Sequence, residues 1–468
     1  MTSEIELAGR VVELVRRIAG PDAQAEVSAT HLALALTRFA NSFIHQNVAE
    51  ATTTVRLRLH IDGRTAAGST TLLTADGLRA LVERTVAAAA LCPPDASWAG
   101  LTPPTPLTFT GRWDEATAQA SPRERAERVR DFVDAAEGLE TAGYCRTAHH
   151  SATFANTAGQ SASGQSAEAG MDGIARTEGV DGMARLAGTR IADIDGAVLG
   201  RQAAVKARAG TAPVEVPLQP YEVVLEPTAV ADLLSNLSFY GFNGKSYNER
   251  RSFAEPGAAQ FDSSISLVDD PQLDPALPFD LEGTPRRRVP LVADGVTRAV
   301  AHDRRTAAEG GTESTGHGAA SSATWGPMPL SLSLAPAPAA GPDGAPDEGR
   351  GPSEVSGPIV DSDTAALVAG VRRGLLVTDL WYTRVLDPKT LVVTGLTRNG
   401  VWLIEDGEVT TAVRNLRFTQ SYPQALGPGA VLGIGRYPVR QSNGWTDAWW
   451  SPPALRLASW NFTGGASG

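Results

Sequence analysis

The chain has 468 residues, 42% of them apolar, enough to bury a sizeable core and to fill more than one folding unit. Its 52 acidic against 41 basic residues leave a net charge of −11, a sign that repels a phosphate backbone and argues against nucleic acid as a partner. Only Cys92 and Cys145 are present, which excludes a disulfide framework and a four-cysteine zinc site. No stretch approaches the roughly 18 apolar residues of a membrane-spanning helix, and Met1–Arg10 is acidic where a secretory signal is basic, so no membrane association and a cytoplasmic location are expected.

Ser3 and Glu6 stand in a capping-box relation ahead of Ile5, Leu7, Val11, Val12, Leu14, Val15 and Ile18 at helical spacing, and Gly20-Pro21 ends the run. The chain therefore opens with an amphipathic helix. Val55, Leu57, Leu59 and Ile61 alternate with Arg56, Arg58 and His60, the pattern of a strand with one wet face. From Thr74, an N-cap, Leu78, Leu81, Val82 and Val86 recur with the helical period, so residues 22–91 read as strand, strand, helix, and 1–92 as an N-terminal α+β domain. Pro93, Pro94, Pro103, Pro104 and Pro106 mark a connection. A second capping box, Ser121 with Glu124, opens a helix whose buried face carries Ala126, Val129, Phe132, Val133 and Ala136. From Ser151 to about Arg190, Gly, Ser and Ala interrupt the apolar periodicity, which predicts short strands joined by mobile turns in a middle region spanning 93–219.

From Tyr221 the pattern turns mostly β. Val223, Val224 and Leu225 lead into a short helix that Pro227 starts and Val230, Leu233, Leu234 and Leu237 line. Asp294-Gly295, Asn399-Gly400 and Asp406-Gly407 sit between apolar runs, as the turns of antiparallel hairpins do. Residues 335–358 are almost all Pro, Ala, Gly, Asp, Glu and Ser, which cannot offset their ordering entropy by burial, and predict a flexible low-complexity loop. The expected fold class is α+β, an N-terminal α+β part followed by a C-terminal domain, 220–468, rich in antiparallel sheet.

Seven histidines are present and none is followed by glutamate, so no helical His-Glu pair exists to bind zinc and supply a base. His149 and His150 point to different sides of any regular element, His60 belongs to a wet strand face, and His302 and His317 read as structural contacts. No nucleophile elbow accompanies Ser314-Thr315-Gly316-His317. Cys145 and His149 lack a catalytic context, and Asp269-Asp270 beside Pro271 reads as a turn. By its own chemistry the chain shows no catalytic constellation.

Several stretches occur together in one known family. They are Arg38–Asn47 with the following Asp62-Gly63-Arg64, Asp280–Pro285, Asp303–Ala308 through Ser314–Gly318, Leu375–Glu408, Arg414–Ser421 and Pro453–Arg456. In this order they resemble the TldD/PmbA family and cover most of the chain. In that family a TldD-type subunit binds zinc through a His-Glu-x-x-x-His helix and a cysteine near its C-terminus, and pairs with a TldE (PmbA)-type subunit that lacks the motif. Here the corresponding helix reads Ser235-Asn236-Leu237-Ser238-Phe239-Tyr240, with serine and tyrosine at the histidine positions and asparagine at the glutamate position, and no cysteine follows Cys145. Hydroxyls are poor zinc ligands.

The resemblance implies a TldE-type subunit with no catalytic residue and no metal of its own, paired with a TldD-like subunit that carries the zinc. Small or unfolded peptides would be the substrates, held by backbone hydrogen bonds to strand-rich walls; some relatives act in natural-product pathways. Trp381, Tyr382, Arg384 and Arg398, with His317, are the candidates for the cavity or subunit interface, because aromatic and arginine side chains are enriched where surfaces bury on assembly. Packing of both aromatics within the sheet is the alternative. Two other functions stand beside the leading one: a self-contained metal-dependent hydrolase with a site around His302 and His317, and a stand-alone peptide-binding scaffold.

Overall fold

The computed structural model describes residues 4–177, 179–337, 359–442 and 448–465. Ser3 of the first capping box, and residues 338–358 of the predicted low-complexity loop, lie outside the described residues. The chain opens with helix α1 (Glu4–Ile18), which buries Leu7, Val11, Val12 and Val15. Strands β1 (Gln24–Ala40), β2 (Phe43–Ile61) and β3 (Arg64–Thr70) follow, then helix α2 (Ala75–Leu91), the single turn α3 (Glu115–Ala118) and helix α4 (Pro122–Ala135). Strands β4 (Glu140–Asn156), β5 (Ser161–Thr177) and β6 (Val180–Gly188) and helix α5 (Gly196–Ala209) complete this part. Thr74 caps α2 by accepting from the Gly77 N–H, and Ser121 and Glu124 make the reciprocal box at α4.

The six strands form one antiparallel sheet in the order β3-β2-β1-β4-β5-β6. The boundary drawn at residue 92 thus runs through a continuous sheet, since β1 pairs with β4 from Glu26 opposite Asn156 to Phe39 opposite Gly143. Residues 22–91 hold three strands where two were expected. Asn41 and Ser42, at φ 50° and 62°, make the tight turn that the sequence reading passed over.

The short strands and mobile turns predicted for 151–190 are instead three long strands. Small residues are there for packing: a Cβ at Gly182 would stand 2.1 Å from the Ala203 carbonyl oxygen on α5, and one at Gly173 would stand 2.6 Å from the Phe132 ring on α4. Glycine in a strand interior marks such close approach of another element.

Beyond α5 come β7 (Pro220–Leu225), helix α6 (Pro227–Asn236) continued by a wider π-turn over Leu237–Gly241, and helix α7 (Gly244–Asn248). Strands β8 (Leu267–Asp269), β9 (Val289–Ala293) and β10 (Val296–Thr297), helix α8 (Arg304–Gly310), and strands β11 (Ser331–Leu334), β12 (Arg373–Asp387), β13 (Val392–Glu405) and β14 (Glu408–Ala412) follow. The chain ends with β15 (Leu416–Ser421), β16 (Val431–Ile434), β17 (Gln441–Ser442), β18 (Trp449–Ser451) and β19 (Leu455–Gly465). One sheet runs β10-β9-β8-β11-β18-β17. In the other, β12 pairs with both β7 and β13, so the path β7-β12-β13-β15-β19 closes on itself as a small barrel. Phe418, Tyr422, Trp460 and Phe462 fill its core.

Asp294-Gly295 and Asp406-Gly407 are hairpin turns. Asn399-Gly400 is not. Strand β13 runs straight through it, with Val377 opposite Val401 and Asp379 opposite Arg398, so Asn399 and Gly400 face Thr378 alone, as a β-bulge. Their positive φ values, 58° and 136°, suit a bulge as well as a turn, which is why the dipeptide misleads.

The N-terminal sheet docks on the C-terminal part through charge. Arg58 on β2 bridges Glu26 on β1 and Glu282, whose other oxygen accepts from the Arg304 N–H at the start of α8. Arg304 also donates to the carbonyls of Ala99, Gly100 and Leu101, and Arg305 pairs with Asp95.

Candidate functional site

Helix α6 starts at Pro227, follows β7 directly, and buries Val230, Leu233, Leu234 and Leu237. Ser235 and Asn236 form its last residues and Tyr240 lies in the π-turn, an irregularity frequent at functional sites. The Asn236 amide donates to the Asp232 carbonyl at 3.0 Å and to Asp232 Oδ2 at 3.2 Å.

Asp232, one turn earlier, is the chemical centre of this region. Its Oδ1 accepts from the Thr383 hydroxyl at 2.8 Å and its Oδ2 from the Tyr422 hydroxyl at 2.7 Å. Burial pushes the carboxyl up to about 6 against the pull of these donors, and burial together with the Asp232 charge raises the Tyr422 phenol well above its ordinary value. The sequence reading missed both residues. The available signal was a lone carboxylate inside the apolar run Ala229–Leu234.

The motif positions offer one hydroxyl, one phenol and one amide already bonded to Asp232. Zinc requires three or four nitrogen, sulfur or carboxylate donors at about 2.0–2.3 Å. Among the described residues no group of three or more His, Cys, Asp or Glu is arranged to hold a metal ion. The residues at α6 do not fit zinc, and no side chain at the three motif positions supplies a general base.

Thr383 anchors β12 to Asp232 at the point where the strand bulges between Trp381 and Arg384 and Tyr382 takes φ 53°. Trp381 and Tyr382 leave the core there, 49% and 64% exposed, so neither packs within the sheet. The Arg398 guanidinium lies 5.0 Å over the Trp381 ring, and that of Arg384 lies 4.2 Å over the Tyr382 ring. The structure brings these four residues together on one surface.

His317 is not with them. It is buried, with Nε2 3.0 Å from Asp269 Oδ2 and Nδ1 2.8 Å from the Thr315 hydroxyl, which leaves no ring nitrogen for a substrate or interface role. Asp269 ends β8 as an anchor, accepting also from the Leu330 and Ser331 N–H groups, where a turn was expected. Burial works to raise its pKa, but His317, Arg286 and the backbone donors prevail and hold it below the ordinary range. Asp270 makes the turn, accepting from the Gln272 N–H.

His302 is buried with Nδ1 3.1 Å from the Thr306 hydroxyl, and burial lowers its pKa. Cys145 is buried in the N-terminal sheet, and burial pushes its thiol up to about 12. His149 lies four residues along the same strand, roughly 13 Å away at the rise of a β-strand, out of reach as a base.

Residues 218–436 match the family described as the PmbA/TldA metallopeptidase C-terminal domain. Among curated proteins none matches. Among solved structures, TldE from Thermococcus kodakarensis shares the fold with a TM-score of 0.82 at 17% identity, over 97% of this chain and 100% of that one. A Thermotoga maritima protein described as a proposed modulator of a DNA gyrase aligns with a TM-score of 0.80 at 16% identity, over 98% of this chain and 99% of that one. A Bacteroides thetaiotaomicron protein described in the same way aligns with a TM-score of 0.79 at 17% identity, over 99% and 100%. At these identities the structural likeness speaks for the fold alone. Residues 218–436 of this chain thus match the PmbA/TldA metallopeptidase C-terminal domain, within a fold that nearly the whole chain shares with TldE.

Proposed function

We propose that the chain is the non-catalytic, TldE-type subunit of a two-subunit zinc metallopeptidase. It shapes a cavity for small or unfolded peptides while a TldD-like partner carries the zinc. The observation that carries this reading is α6: its apolar face and its place after β7 are kept, while Ser235, Asn236 and Tyr240 leave it without zinc ligands or a base. The strand-rich architecture supports backbone recognition of an extended peptide, which is indifferent to side-chain sequence. The complex works in the cytoplasm, without nucleic acid. No helix among the described residues is long and apolar enough to cross a membrane.

Recovery of the tagged chain from its native host, with mass spectrometry and elemental analysis, tests the proposal. The expected result is a co-purifying second chain bearing His-Glu-x-x-x-His, one zinc per pair, peptidase activity only in the pair, and no stoichiometric zinc in the isolated chain. One tightly held zinc in the isolated chain overturns the assignment and favours a self-contained hydrolase.

A further inference from the structure

Strands β12, β13 and β15 of the barrel turn one side to the core and the other outward. Trp381, Leu396 and Arg417 stand opposite one another across the three strands, and Arg384, Thr394 and Thr419 form the next row. Residues paired in this way share a face. The Thr419 hydroxyl reaches the Thr463 hydroxyl on β19 at 3.5 Å, which extends that row. Elsewhere the outer side of the barrel is covered, since Val360, Val368 and Val371 pack on Val224, Leu376 and Trp402. Around Trp381 it is open: Trp381, Tyr382, Arg384, Arg398 and Arg417 are all exposed.

This face is basic in a chain of net charge −11. Arg384, Arg398 and Arg417 have no carboxylate partner among the described residues. Asp379, in register with Arg398, is buried and accepts from the Asn399 amide at 3.0 Å. Asp387 is engaged by the Lys389 N–H and the Thr390 hydroxyl. Two of the three guanidinium groups are stacked on aromatic rings, which fixes their planes; Arg384 donates through Nη1 to the Thr383 carbonyl at 2.8 Å, and its other N–H groups, with those of Arg398, remain for carboxylate contacts.

We propose that this face docks an acidic patch of the zinc-binding partner subunit, an inference that rests on the two-subunit reading above. The cations are spread over three strands about 4.8 Å apart, a surface suited to a folded partner. Tryptophan, tyrosine and arginine are the residues that dominate such interfaces energetically.

The test expresses the tagged full chain in its native host as wild type, as R384A/R398A/R417A, as R417E, and as R130E, an exposed arginine on α4. The readout is the affinity of the zinc-bearing chain, identified by its motif and metal, as a function of NaCl. Affinity should fall about tenfold for R417E and a hundredfold or more for the triple variant, be unchanged for R130E, and weaken for wild type as salt rises. Equal affinity of wild type and both barrel variants overturns the docking surface and leaves the two-subunit reading standing. No zinc-bearing chain with wild type overturns both. Normal pairing, with turnover lost only for glutamate-containing peptides, overturns docking in favour of a track for acidic substrates. Should the triple variant unfold at a lower temperature than wild type, R417E, which touches no aromatic stack, decides alone.

Discussion

Between the N-terminal sheet and helices α4 and α5 the packed residues are mostly small, Ala169, Ala175, Ala203, Ala204 and Ala207 around Phe39 and Phe132. In the C-terminal barrel the equivalent space is filled by Phe418, Tyr422, Trp460 and Phe462, with ring centroids of Phe418 and Tyr422 5.3 and 5.7 Å from that of Trp460. The sheet brings the α5 backbone so close to Gly182, and the Phe132 ring so close to Gly173, that a single methyl group at either has no room. The barrel encloses a volume that these large rings fill together with aliphatic side chains such as Leu225, Leu375 and Leu457. Both interiors are close-packed, but they should fail in opposite ways, one by addition and the other by removal.

The largest effect is expected in the barrel. Trp460→Ala should destabilise by about 3–5 kcal/mol through the cavity it leaves. Trp460→Phe should cost far less, because the buried Trp460 Nε1 has no hydrogen-bond partner to lose. Chemical denaturation of the two variants checks this, and similar losses for both would mean that volume is not what the barrel core needs.

Next comes the seam between the halves. Arg58→Ala leaves Glu26 and Glu282, both nearly buried, without their shared cation, and should cost about 3–5 kcal/mol. Burial already pushes the Glu26 carboxyl up to about 7 in spite of the Arg58 charge beside it. Hydrogen exchange should rise at Asp280–Thr284 and around Arg304 in this variant. Unchanged protection there would show that the halves do not depend on this bridge.

Asp232 gives the barrel a pH dependence. A carboxyl whose folded pKa, about 6, lies above its ordinary 3.8 binds its proton more tightly when folded. Its contribution to stability is therefore complete below the ordinary value and is lost as pH rises through about 6, as much as about 3 kcal/mol in all. Asp232→Asn should remove this slope and equal or exceed wild type in stability at neutral pH. A wild-type stability that is flat from about pH 4 to pH 7 would contradict the assignment.

The smallest effect tests the sheet. Gly182→Ala, which forces a Cβ against the α5 backbone, should destabilise by about 1–3 kcal/mol. A neutral result would mean that α5 can retreat, and the contrast between the two interiors would lose its basis.

Local chemistry was legible in the sequence where one element's own atoms decide it. The caps at Thr74 and Ser121, the amphipathic face of α1 and the alternation from Val55 to Leu59 form as their patterns require, because the partners lie within a few residues. The likeness of the C-terminal domain to the PmbA/TldA metallopeptidase domain was legible too, since it depends on residue identity at fixed spacing. What only the tertiary structure decided is which distant groups meet. Gly and Ala from Ser151 to Arg190 resemble turn formers until α4 and α5 are laid on them, and Asn399-Gly400 has the chemistry of a hairpin turn until Val401 is seen opposite Val377. Asp232, Thr383 and Tyr422 are separated by 151 and 190 residues and become one cluster only in the folded barrel. His317, exposed to any function while it is only a letter in a glycine-rich stretch, is sealed by Asp269 and Thr315 once the strand end and the loop are brought together. Spacing along the chain encodes contacts within an element; contacts between elements depend on which of many compact arrangements buries the most apolar surface without stranding a polar group, and no local pattern carries that information.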